Sequence, residues 1–374
     1  MNLLPTFALP GASRRGRRTR TVRPVALKRT VLVRAKARKC VLYGGIALLS
    51  IVVGFNVAGD LRHPEWWDPP YGLRERLLEE AIRKQPEKPL LLFLGTSRSS
   101  DGLCSEKFDR MPSLLAFNFG CANALPIHLL ATLKRLLQRG IRPDYVMVEL
   151  MPASLCDSRT PDGLLTASRL RLNEISFIED HLANPSLYKA DWLVGRIDAL
   201  SSARFGLMNG MGKWATDDAA RITYAQHRPT HPLGWYEMKF EILGTAFQTA
   251  QTKVVRDAYR PALTAMTLCE DPKRCMEEVI ALCRQENIPV ALYIMPESGM
   301  FRSWYGAQSL ALVESFMKDI AERFQIRVFD FRKECEDGDF VDGHHLWAHR
   351  APEVTQKLMD RYVLPWVEEQ KPKP

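Results

Sequence analysis

A chain of 374 residues that is 46% hydrophobic and 25% charged has enough apolar mass for one large domain or two ordinary ones, which excludes a disordered protein. The formal net charge of +9 sits at one end: residues 1–39 carry twelve Lys or Arg and no acid, leaving 40 basic and 43 acidic residues in the remainder. The body is therefore a mildly acidic globule. Nucleic acid is not an expected partner, because what adjoins the arginine run explains it more simply.

That neighbour is "CVLYGGIALLSIVVGFNVAG", Cys40 to Gly59, twenty residues without a charge and with little polarity beyond Ser50 and Asn56. As a helix it would span roughly 30 Å, the thickness of a bilayer core. Residues 40–59 are expected to form one transmembrane helix, with the bilayer as partner. The charge bias orients the tail, residues 1–39, to the cytoplasm and everything after Asp60 to the outside. A cleaved signal peptide fits less well, since the run exceeds the usual span of about 7–15 apolar residues. "SRRGRR" lacks the surroundings of a twin-arginine signal.

Residues 60–88 read as a juxtamembrane linker and helix. "HPEWWDPPYG" could hold its tryptophans at headgroup depth or against the domain, and "LRERLLEEAIRK" is amphipathic. The main domain, 89–374, then alternates. "PLLLFLG" is a buried strand ending at Gly95, and "LLAFNFG", Leu114 to Gly120, is a second. "LPIHLLATLKRLLQRG" is a helix stopped by Gly140, whose missing Cβ suits a left-handed terminus. "DYVMVELMP" and "PVALYIMP" are the third and fourth strands, the latter preceded by the helix "DPKRCMEEVIALCRQEN". A further helix, "LALVESFMKDIAERFQ", leads to the fifth strand, "IRVFDFR". The alternation predicts an α/β fold with a doubly wound parallel sheet of five strands. About 110 residues between strands three and four, 153–268, are too many for a bare loop and are expected to be a helical insertion. Seven cysteines follow the apolar run. Cys269 and Cys275 are the closest couple in sequence, and no CxxC pattern is present.

Ligands of open parallel sheets bind beyond the carboxyl ends of the strands, where Ser97, Gly120, the Met151-Pro152 pair and Pro296 fall. Near the C-terminus, "DFVDGHHLWAHRAPEV" places Asp342 three residues before His345 in a glycine-containing turn. A serine, a histidine to take its proton and an acid to orient the histidine are the parts of a nucleophilic acyl-transfer site. Each has a plainer reading: Ser97 as a helix cap, Gly120 as a strand end, Arg98 as a structural or solvated cation rather than a binder of an anionic substrate group. Glu149 and Glu297 stand at strand ends as supporting partners. His345 and His349 have the spacing of zinc ligands, but without H-E-x-x-H or a matching acid no metal is expected, and His344 reads as a bystander. The absence of P-loop, G-x-G-x-x-G and EF-hand patterns implies no cofactor. Gly95-Thr96-Ser97-Arg98-Ser99 lacks the last glycine of G-x-S-x-G, and that elbow usually follows several strands rather than the first.

"FLGTSRS", then "FNFG", then "DGHHL" resemble the ordered blocks of the SGNH (GDSL-type) hydrolase superfamily, in particular membrane-anchored, extracytoplasmic members. The match runs from about Leu90 to Leu364 and omits the tail, the span and the insertion. The resemblance implies the flavodoxin-like strand order 2-1-3-4-5, Ser97 as nucleophile, Gly120 as an oxyanion donor, and Asp342 with His345 as the acid–histidine pair. It departs in the third block: no G-x-N-D follows "VMVELMP", and Asn123 in "FGCANA" is the candidate substitute. The implied activity is an anchored serine esterase or O-acyltransferase on ester groups, O-acetyl among them, of an extracytoplasmic polysaccharide. The missing block supports another expectation: a catalytically weak binding or assembly component of a cell-envelope complex, meeting a protein partner through the insertion.

Overall fold

The computed structural model describes residues 25–110, 113–156, 170–181, 185–198, 231–238 and 244–371. The chain forms two compact units, Met1–Gly54 and Phe55–Pro374. In the first, the described residues belong to helix α1, Val25–Arg62, whose stretch from Arg34 contains an 18-residue window of mean hydropathy 2.1 and is long and apolar enough to cross a membrane. Val41, Leu42, Leu48 and Ile51 on it are all more than half exposed. The helix begins well before Cys40. After Pro24, "VALKRTVLVRAKARK" contains neither glycine nor proline, so the helix extends through the basic segment instead of starting at the apolar one.

The second unit is built on five parallel strands, β1 (Leu90–Gly95), β2 (Leu115–Gly120), β3 (Tyr145–Glu149), β4 (Val290–Ile294) and β5 (Arg327–Asp330). Their order is β2-β1-β3-β4-β5, the crossover at β1 placing a switch point beside its carboxyl end. The first four strands are buried along their whole length, as near-continuous apolar runs covered on both faces must be. Edge strand β5 is only partly covered. At the other edge, Asn118 N–H on β2 donates to Leu233 O at 2.9 Å, so a return of the insertion shields that edge.

Helix α2 (Pro69–Lys84) starts with prolines in its first turn and buries Tyr71, Leu78 and Ala81 in the main core. Residues 69–84 thus belong to the domain rather than to a linker. Helix α3 (Ser97–Gly102) follows β1, and α4 (Pro126–Gln138) follows β2. Gly140 closes α4 at φ +79, its N–H bonding Leu137 O and that of Ile141 bonding Leu136 O, the paired left-handed terminus expected there. The described parts of the insertion include α5 (Ile175–His181), α6 (Pro185–Ile197) and α7 (Gly244–Thr264), with the non-helical segment 231–238 between α6 and α7. The expected helical run beyond residue 198 lies outside the described residues. The remaining helices are α8 (Glu270–Gln285), α9 (Gly299–Arg302), α10 (Ala307–Phe324), α11 (Ala351–Leu358) and α12 (Leu364–Gln370). Cys269 and Cys275 are not joined by a disulfide.

Candidate active site

Strand β1 ends in register with β2, Gly95 opposite Gly120. A Cβ on Gly95 would fall 2.2 Å from Ser99 Oγ and 2.6 Å from Glu149 Oε2. Bare backbone is what lets α3 fold back over the strand end. The cap of α3 is Thr96, whose Oγ1 accepts from Arg98 N at 3.2 Å, leaving Ser97 as the first helical residue with its hydroxyl uncommitted to the helix. That hydroxyl lies 2.8 Å from His345 Nε2.

His345 is delivered by a tight turn closed by a bridge between Phe340 and Leu346 and by Val341 N–H donating to His345 O at 2.8 Å. Gly343 within the turn has φ +103, a left-handed backbone conformation that favours glycine. Asp342 Oδ1 accepts the backbone N–H groups of His344 (3.2 Å) and His345 (3.0 Å), while Oδ2 faces His345 Nδ1 at 2.8 Å. Asp342 is fully buried. Burial alone would raise its pKa, but the two imidazoles and the hydrogen bonds from His345 outweigh burial and hold the carboxyl far below the usual range. For His345, burial pulls the pKa down while the Asp342 charge, its hydrogen bond and Asp101 push it up; the net shift is upward.

Arg98 faces away from this cluster. It is 1% exposed, with Nη1 3.2 Å from Glu297 Oε1, Nε 3.7 Å from Glu149 Oε1, and Nη2 donating to the carbonyls of Met295 (2.5 Å) and Pro296 (3.2 Å). A guanidinium so enclosed reaches no substrate; it ties α3 to the end of β4. Glu149 gathers the same turn by accepting from Thr96 N (2.7 Å), Thr96 Oγ1 (3.0 Å) and Ser99 Oγ (2.5 Å).

Gly120 reaches the expected edge, but its N–H donates to Asn118 Oδ1 at 2.9 Å, and a Cβ on it would sit 2.4 Å from Ser100 N. Its glycine identity therefore permits close approach of α3, and its amide is engaged inside the fold. Asn118 completes the lock by donating to the carbonyls of Ser99 (2.7 Å) and Leu103 (2.9 Å). Asn123 is exposed in a left-handed turn, φ +57, and its amide bonds none of Ser97, His345 or Asp342.

Two contributions were not read from the sequence. Asp101, four residues after Ser97 and so on the same helix face, is buried, and burial, opposed by His345, pushes its pKa up to about 6. The signal was the "SRSSD" spacing, once a helix starts at Ser97. The insertion is the second: Trp235 Nε1 donates to Asp101 O at 2.8 Å, Tyr236 N to Ser100 O at 3.0 Å, and Gln251 on α7 reaches Asp342 Oδ2 at 3.5 Å.

His344 is buried beside Phe301 and Tyr259, each with ring centroids 5.1 Å away, and burial followed by the His345 charge drives its pKa well down. Ligand atoms of Asp342, His344 and His345 lie within 4.8 Å of one another, a spacing a metal ion could use, though it would compete with the Ser97–His345–Asp342 chain.

A family model described as "Protein of unknown function (DUF1574)" matches residues 66–182, from the Trp66-Trp67 pair to the end of α5. That similarity covers the Ser97 turn and Gly120 and stops before Asp342 and His345. No curated protein matches the chain.

Proposed function

We propose that the chain is an SGNH-type serine esterase or O-acyltransferase, held to a membrane by residues 40–59 and acting on ester groups of an extracytoplasmic glycan. The observation that carries the chemistry is the unbroken chain Ser97 Oγ, His345 Nε2, His345 Nδ1, Asp342 Oδ2, each link 2.8 Å. Ser97 Oγ attacks the acyl carbonyl carbon as its proton passes to His345 Nε2, and ionised Asp342 stabilises the imidazolium. As the tetrahedral adduct collapses, the departing alcohol takes that proton and the acyl group stays on Ser97. Water or a sugar hydroxyl then gives its proton to His345 and attacks the acyl carbon, and as this second adduct collapses Ser97 Oγ leaves and takes the proton back from His345. Water makes the enzyme an esterase, a sugar a transferase.

The oxyanion needs donors already in place, each worth about 3–4 kcal/mol of barrier. The Ser97 N–H has no acceptor among the described residues, and Asn123 stands on an exposed turn at the same sheet edge. The engaged Gly120 amide thins this set and favours the second reading, a weakly catalytic domain that binds a glycan or envelope partner. The charge bias of residues 1–39 supports a cytoplasmic tail and an external domain. Incubating purified full-length chain with an acetyl ester, with and without a glycan acceptor, separates the readings. Turnover lost in Ser97→Ala supports the enzyme, and acceptor-dependent product supports transfer. Equal turnover by both proteins, or none by either, leaves the binding reading.

A further inference from the structure

Residues 55–59, the last of the apolar run, belong to the same compact unit as α6 and are tied to it by polar bonds. Asn56 Nδ2 donates to Arg196 O at 3.0 Å, Arg196 Nη1 donates to Asn56 Oδ1 at 3.2 Å, and Arg196 Nη2 pairs with Asp60 at 2.8 Å. Leu172 N–H donates to Asp60 Oδ2 at 3.3 Å. Arg196 is 4% exposed and lies over Trp67 at 4.3 Å, and Phe55 stacks on Trp66 at 4.9 Å. These bonds hold α6 and Leu172 against the end of the run.

The outer face of α6 is apolar. Ala190, Leu193, Val194 and Ile197 recur at i, i+3, i+4 and i+7 and are exposed, the last three by 53%, 64% and 65%. Leu172 at 65%, and Val57 and Leu61 of α1 at 50% and 64%, are equally bare. Apolar surface of this kind, on three segments tied together, marks a contact with something apolar. We propose that this face of α6, with Leu172, is a second membrane contact, lying in the headgroup and upper acyl region of the leaflet from which residues 55–59 emerge. Continuity with the apolar run selects lipid as the occupant. Trp66, stacked between Phe55 and the His63 ring at 4.5 Å, is an amphipathic aromatic suited to the same depth. A helix bound this way sinks its apolar side about 5–10 Å into the boundary. The proposal rests on reading residues 40–59 as a span.

Depth-dependent quenching in the intact chain tests both claims separately. A fluorescent, non-cysteine amino acid replaces Val194, Leu48 or Glu322 in turn, and each protein is reconstituted into phosphatidylcholine–phosphatidylglycerol vesicles carrying nitroxide lipids labelled at shallow or deep acyl positions. Loss of Val194 reporter signal with the shallow label, loss of Leu48 reporter signal with the deep label and no loss at Glu322 are expected. Quenching at Leu48 without any at Val194 overturns the second contact and leaves the span. No quenching at Leu48 overturns the span, and the second contact with it. A Val194 reporter untouched by lipid labels but shielded as protein density rises would assign the face to a second copy and overturn the proposal.

Discussion

Helix α3 is six residues long and serves two opposite ends. Arg98 and Ser99 point into the protein, where Glu149, Glu297 and Tyr293 surround them at 2.5–3.7 Å. Ser97 and Asp101 point toward His345, and the Ser97 hydroxyl keeps a proton it can give away. The inner set, one guanidinium between two carboxylates, is sealed from water, so it fixes position; the outer set leaves a hydroxyl and an imidazole only partly buried, with two buried carboxylates behind them, so it can react. A rigid inner clamp is what allows a 2.8 Å contact between residues 248 positions apart.

The comparison breaks first at Ser97. Ser97→Ala and His345→Ala should each lower ester turnover by on the order of 10,000-fold, the double variant little further, because the pair acts as a unit. Denaturant unfolding should move by less than about 1 kcal/mol for Ser97→Ala, since a half-buried hydroxyl is lost and no buried charge is stranded. Arg98→Met should reverse that pattern: unfolding free energy falls by about 3–5 kcal/mol because two buried carboxylates lose their cation. Comparable stability losses at the two positions would erase the distinction between the faces.

The strands were legible because four of them are apolar runs bounded by proline, glycine or an acid, and only a sheet covered on both faces tolerates such runs. Asp342 and His345 were legible because they share one turn. Less local features were not. Thr96 rather than Ser97 caps α3, a choice made by side-chain geometry, and Arg98 could be placed only once the ends of β3 and β4 converged on it. Gly120 was read as an amide donor, yet Asn118, two residues earlier, takes that hydrogen. Tyr71 and Leu78 fell in the juxtamembrane linker and helix and are core residues, because the face that packs on the sheet cannot be told from one facing elsewhere. Trp235 meets Asp101 across 134 positions, which no local pattern announces.

Smaller effects sharpen the outer set. If the side chain of Asn123 serves the oxyanion, Asn123→Ala should slow acyl transfer by about 100- to 1,000-fold with an unchanged unfolding curve; an effect under tenfold would leave the Ser97 N–H as the main donor. Asp101→Asn should act through pH. His345 is a base only when unprotonated, and its pKa is raised, so kcat/KM should rise with pH along a limb lying above the ordinary histidine value of about 6.5. Removing the Asp101 charge makes the imidazolium less stable, lowers the His345 pKa and shifts that limb toward acid. A limb that stays put or moves toward base would show that Asp101 does not act on His345.

The most direct measurement is active-site labelling of the intact, membrane-inserted chain with a fluorophosphonate, the adduct mapped by peptide mass spectrometry. The chain of hydrogen bonds through His345 predicts one modified residue, Ser97, with labelling lost in His345→Ala although that variant, destabilised by the stranded buried Asp342 carboxylate, is still folded under the labelling conditions by circular dichroism. An adduct on another serine, or Ser97 labelled equally well without His345, would contradict a Ser97–His345–Asp342 nucleophilic site.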